Sequence, residues 1–69
     1  MSQHDLIISY ITTHGSITPM DAFPLGITKL ATRVSELRRR GVEFDITMEK
    51  SHNKYGKAVR YARYRLKEE

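Results

Sequence analysis

The apolar pattern of this chain changes period once, at Gly41, and that switch restricts the architectures open to it. Before Gly41, apolar residues recur at three- and four-residue spacing, the period of a helix. After it, Val42, Phe44, Ile46 and Met48 alternate with Glu43, Asp45, Thr47 and Glu49, the mark of a half-buried strand. The expectation is an α+β domain in which helices come first and a β-hairpin follows. With 69 residues there is room for one domain, residues 1–69. A chain this short buries only about 60% of its unfolded surface, so its stability margin is narrow. It holds no cysteine, so neither a disulfide nor a thiolate metal site widens that margin.

The helical half is punctuated. Ser2 to His14 reads as a first helix with Leu6, Ile7, Tyr10 and Ile11 on one stripe, Ser2 as N-cap, Asp5 three residues on, and Gly15 as the stop. Ser16-Ile17 is short enough to be extended. Thr18-Pro19-Met20-Asp21 then starts a second helix of one and a half to two turns: Thr18 caps, Pro19 suits the first helical position, and Asp21 faces the helix dipole. That helix carries Met20, Ala22 and Phe23, with Met20 and Met48 read as core fillers, and Pro24 limits it. Leu25-Gly26-Ile27 forms a tight turn. Thr28 is expected to cap a third helix running to Arg40, with Leu30, Ala31, Val34 and Leu37 as its core stripe.

Beyond Gly41, the strand from Val42 to Glu49 leads into a polar loop, Lys50 to Gly56, and a returning strand from Lys57 to Leu66. The returning strand is expected to turn Tyr64 and Leu66 inward. Lys67-Glu68-Glu69 reads as a frayed end. No apolar run approaches the roughly 18 residues of a membrane span. The start, Met1-Ser2-Gln3-His4-Asp5, lacks the basic flank and apolar block of a secretory signal, so the expectation is a soluble, cytoplasmic protein with no membrane partner.

Charge is unevenly spread. Residues 1–27 hold Asp5 and Asp21 and no Lys or Arg, whereas residues 28–41 hold Lys29, Arg33, Arg38, Arg39 and Arg40 against Glu36 alone. Clustering of this kind is the footprint of a phosphate-binding surface, although a solvated helix face carries the same composition. Two short helices joined by a glycine turn, the second amphipathic and basic, make a helix-turn-helix, and a hairpin placed directly after them makes a wing. The expected fold is therefore a winged helix-turn-helix: three helices, then a two-stranded antiparallel β-hairpin.

Particular residues add a resemblance. Gly15-Ser16-Ile17-Thr18, the run from Ala22 to Val34, Glu36-Leu37-Arg38 with Gly41, and Tyr61-Ala62-Arg63-Tyr64-Arg65-Leu66 resemble the small winged helix-turn-helix proteins of bacteriophages and prophages. The likeness covers nearly all of the chain after residue 14. Pro24 departs from it, since a polar residue is usual there. The resemblance implies double-stranded DNA as partner, inside a bacterium or a phage-infected cell. It implies neither an operator nor a regulated gene.

On the third helix, the face opposite the core stripe carries Thr28, Thr32, Ser35, Glu36 and Arg39, flanked by Lys29, Arg33 and Arg40, with Arg38 nearer the core as a structural residue. Small hydroxyls permit close approach to base edges, arginine can bond guanine bidentately, and flanking cations meet phosphates. Glu36 can accept from a cytosine amine, or pair with Lys29, Arg33, Arg39 or Arg40. In the wing, Glu43, Asp45 and Glu49 are expected to pair with Arg63, Arg65 and Arg60 across the strands. That leaves Lys50, His52, Asn53, Lys54 and Lys57, with Tyr55, as a basic tip for backbone or minor groove.

His4, His14 and His52 lie on separate elements without clustered carboxylates, so no metal or other cofactor is expected. Nor does any catalytic grouping suggest an enzyme. The leading function is a small transcriptional regulator or recombination accessory factor, working alone or as a homodimer on DNA. The alternative is a winged-helix protein-interaction module that binds a host or phage protein; its cue would be an exposed apolar patch, for which only the scattered Tyr10, Tyr55 and Tyr61 offer a hint. RNA binding lacks the expected aromatic platform.

Overall fold

A computed structural model describes residues 2–67. Three helices, α1 (Gln3–His14), α2 (Pro19–Ala22) and α3 (Leu30–Arg39), precede two strands, β1 (Phe44–His52) and β2 (Ala58–Leu66), which pair antiparallel. The expected class and element order are both present.

Local chemistry explains the helix boundaries. Ser2 caps α1 in a reciprocal box: Asp5 N–H donates to Ser2 Oγ at 3.1 Å and Ser2 N–H to the Asp5 carboxylate at 3.4 Å. Gly15 closes α1 with its N–H on the Ile11 carbonyl, 2.7 Å away. Thr18 and Asp21 form a second box, in which the Asp21 carboxylate accepts from both the N–H and the hydroxyl of buried Thr18 at 2.9 Å. Pro24 does not stop the chain at Phe23. α2 tightens into a 3₁₀ turn over Phe23–Leu25, where the missing N–H of proline costs nothing, and Gly26 ends it in the left-handed region at φ 82°.

α3 starts one residue later than expected. Lys29 occupies the cap position, no side chain caps the helix, and Thr28 lies in the bend before it. Its buried stripe is Leu30, Val34 and Leu37; Ala31 is exposed rather than core. These residues join Ile7 and Ile11 of α1, Ile17, Ala22, Ile27 and Tyr64 in the core. Ile17 is extended and exchanges two 2.9 Å backbone bonds with Tyr64, adding a one-residue third strand beside β2. That bridge sews the hairpin base to the segment between α1 and α2.

The first strand lies further toward the tip than its periodicity indicated, starting at Phe44 rather than Val42. β1 runs on through Lys50 and Ser51 to His52, and the loop shrinks to residues 53–57. Asn53 organises this loop: its side-chain oxygen accepts from the N–H groups of Tyr55 (2.9 Å) and Lys57 (3.0 Å), and its carbonyl accepts from Gly56 (2.9 Å). Gly56 takes φ 77°, which places a glycine bulge after a tight turn. As expected, Tyr64 and Leu66 face inward. The alternation in β1 does not translate into burial, however, since Ile46 is 44% and Met48 63% exposed. The helices cover only the base of the hairpin. Met20 (55%) is likewise exposed and, like Met48, not the core filler it was read as; Phe23 is 71% exposed. Lys67 is tied by its N–H to the Glu43 carbonyl at 3.0 Å, so it is not frayed; Glu68 and Glu69 lie outside the described residues.

Candidate nucleic-acid interface

α3 is held by its buried stripe and turns the opposite side to solvent. At 3.6 residues per turn, Thr32, Ser35 and Arg39 fall opposite Leu30, Val34 and Leu37, and all three are exposed. Thr28 and Lys29 are exposed just before the helix. None of these side chains makes a hydrogen bond or ion pair among the described residues, and neither does exposed Arg38, which was expected to be structural. The uncapped start of α3 leaves its first N–H groups open, which favours an anion there.

The flank toward α1 is different. Glu36 does not project with the open face. His4 Nε2–H donates to Glu36 Oε1 at 2.7 Å, Arg33 Nη1 reaches the same oxygen at 3.2 Å, and Arg40 Nη1 donates to His4 Nδ1 at 3.3 Å. Since a guanidinium only donates, this arrangement is that of the Nε2–H tautomer. The hydrogen bond from His4, reinforced by Arg33 and Arg40 and partly opposed by desolvation, holds the Glu36 carboxyl below the usual carboxylate range. Glu36 is thus the ion-pair partner of Arg33, one of its two expected roles. The contribution of His4 was missed because nothing in local spacing links residues 32 positions apart. Arg33 Nε is buried without a hydrogen-bond partner among the described residues, so this side chain is partly folded into the protein.

Charges on the outer face of the hairpin are also mostly committed. Arg63 Nε donates to Glu49 Oε2 at 2.8 Å and Arg63 Nη1 to Ser16 Oγ at 2.8 Å, while Arg65 Nη1 donates to Thr47 Oγ1 at 3.4 Å. The bond from Arg63 lowers the Glu49 carboxyl, and the same bond raises the guanidinium. The predicted pairing therefore holds for Arg63 and Glu49. Glu43, Asp45, Arg60 and Arg65 form no ion pair among the described residues. Elsewhere, Tyr10 packs against His14 at 4.2 Å between ring centroids, and burial, with the Asp21 charge and hydrogen bond, raises its hydroxyl pKa.

Of the expected wing residues, Lys50 and His52 belong to β1, whereas Asn53, Lys54 and Lys57 form the tip; all five are exposed. Lys54 lies 5.1 Å from the centroid of the Tyr55 ring, a cation–π contact. Asn53 is occupied by the turn itself. Arg60 went unrecognised as a candidate because it was assigned to the cross-strand ion pairs. It lines, with Lys29, a groove of about 520 Å³ between the start of α3 and the inner face of the hairpin.

No helix of the described residues is long and apolar enough to cross a membrane. No curated protein and no solved structure matches the chain. A family model described as a winged helix-turn-helix domain matches residues 2–69. Its span takes in the capped helices, the turn, the partnerless face of α3 and the hairpin: the chain belongs to the winged helix-turn-helix domain family, a fold generally used to bind DNA.

Proposed function

We propose that this protein binds double-stranded DNA with α3 in the major groove and the wing on the adjoining backbone or minor groove. In that role it is a small phage or prophage transcriptional regulator, or an accessory factor for recombination, working in the cytoplasm. The observation that carries the reading is the division of α3: Leu30, Val34 and Leu37 are buried, while Thr32, Ser35 and Arg39 are exposed and without partners among the described residues. Thr28, Thr32, Ser35 and Arg39 approach base edges, and Lys29 and Arg38 meet phosphates. Arg33 and Arg40 flank the helix from the α1 side and reach phosphate only as far as their contacts with Glu36 and His4 allow. Lys54 and Lys57 extend the positive surface to the wing tip. So few base contacts favour two copies on a repeated or palindromic site.

Fluorescence anisotropy with a short random-sequence duplex at two salt concentrations tests this. Binding should fall steeply with salt, with a non-specific dissociation constant on the order of 10⁻⁴–10⁻⁶ M at physiological ionic strength. Absence of binding at low salt refutes the proposal. It would leave the protein-interaction reading, for which exposed Met20, Phe23 and Met48 are the specific support.

A further inference from the structure

The inner face of the hairpin continues past the core. Its register sets Phe44 opposite Leu66, Ile46 opposite Tyr64, Met48 opposite Ala62, and Lys50 opposite Arg60. From base to tip, this face passes from buried Tyr64, through increasingly exposed apolar side chains, to two cations. Like charges directly opposite one another on a hairpin repel. Neither Lys50 nor Arg60 has a carboxylate within ion-pair distance among the described residues. The free protein thus carries an electrostatic cost at this pair that a bound anion removes.

Facing this surface are the 3₁₀ turn and the start of α3. Phe23, Ala31, Met48 and Ala62, with the cations Lys29 and Arg60, line the groove between them, and no acidic side chain among the described residues lines it. Phe23 and Met48 are mostly in water, so the core does not account for them. A fitting occupant alternates apolar surface with negative charge at short intervals. A sugar–phosphate strand does this, presenting a deoxyribose and then a phosphate at each step.

We infer that this groove seats one strand of the DNA backbone, with Phe23 and Met48 packed on deoxyribose and Lys29, Lys50 and Arg60 on the flanking phosphates. The inference rests on the DNA-binding proposal and adds to it an apolar contact and a cation, Arg60. It also gives the hairpin's inner face, rather than its tip alone, a part in binding.

Apolar and ionic contacts leave different signatures in anisotropy titrations of a random-sequence duplex over a series of salt concentrations. Phe23→Ala and Met48→Ala should each weaken binding about tenfold at every salt concentration, leaving the slope of log K against log salt unchanged, because no counterion is involved. Arg60→Gln should make that slope shallower by about one unit. Thermal melting should show Phe23→Ala and Met48→Ala as stable as the parent, and Arg60→Gln no less stable. If Phe23→Ala and Met48→Ala bind like the parent while Arg39→Ala binds more weakly, the groove is not the strand's seat, although the DNA-binding proposal stands. If the parent protein binds no duplex at low salt, both fall, and the groove becomes a site for an acidic protein segment.

Discussion

On the α1 side of α3, Arg33 pairs with Glu36 on the same helix and Arg40 reaches His4 of α1, so two arginines there are committed within the protein. On the wing side, Arg38 and Arg39 extend beside Ser35 with no partner among the described residues, and Lys29 and Arg60 line an open groove. Both flanks border one ten-residue helix and look alike as composition. The difference teaches that a basic run does not define a binding surface. What defines it is which cations the fold leaves without a carboxylate or imidazole to hold.

The largest effect should come from the open flank. Replacing both Arg38 and Arg39 with Ala should weaken binding to random duplex on the order of a hundredfold, if each contact contributes about 1–3 kcal/mol. Stability should hardly change, because both side chains are exposed. An equal loss from Arg33→Ala without any change in melting would erase the distinction between the flanks.

A smaller effect should show how far the open side extends. Lys54→Ala with Lys57→Ala removes two cations from the wing tip while leaving the Asn53 bonds intact, since these use the backbone of Tyr55 and Lys57. The expected loss is about tenfold, shared equally among sequences, with the salt slope shallower by about two units. An unchanged slope would confine the contact surface to α3 and the hairpin's inner face.

Much of this architecture was written in local chemistry. Ser2 and Thr18, each followed three residues later by aspartate, announced two helix starts, and both capping boxes formed. Period-2 alternation in the outgoing strand announced the hairpin, whereas the returning strand alternates without marking its buried face, and Tyr64 proved to be the inward side favoured for it. Burial was less legible, because alternation fixes which face a residue shares and not whether anything covers that face. Ile46 and Met48 share the face of Phe44, yet they extend beyond the helices. Pro24 was expected to limit the second helix, but the chain passes through it in a 3₁₀ turn, on which Phe23 is exposed. At the candidate site, the open face of α3 could be drawn from a helical wheel. The hold of His4 on Glu36 could not, since it depends on how α1 packs across α3.

The subtlest expected effect lies on the closed flank and appears as a dependence on pH. The Glu36 carboxyl is held below its ordinary range, chiefly by the His4 hydrogen bond and then by Arg33 and Arg40. A group with a depressed folded-state pKa stabilises the fold fully above its unfolded value, near 4.3 for glutamate, and that contribution is lost as pH falls through the lower folded value. Glu36→Gln should therefore melt below the parent at neutral pH, and the gap should close as both are acidified through the carboxylate range. Glu49, lowered by Arg63, contributes an acid-sensitive step of the same sign, so the parent curve must be compared with Glu36→Gln and not with a flat line. Binding to random duplex at neutral pH should change by only a few-fold, and toward tighter binding, because the substitution removes a negative charge and frees Arg33 for phosphate. A marked loss of affinity with unaltered melting would instead make Glu36 a contact residue, and the two flanks of α3 would then differ less than their hydrogen bonds indicate.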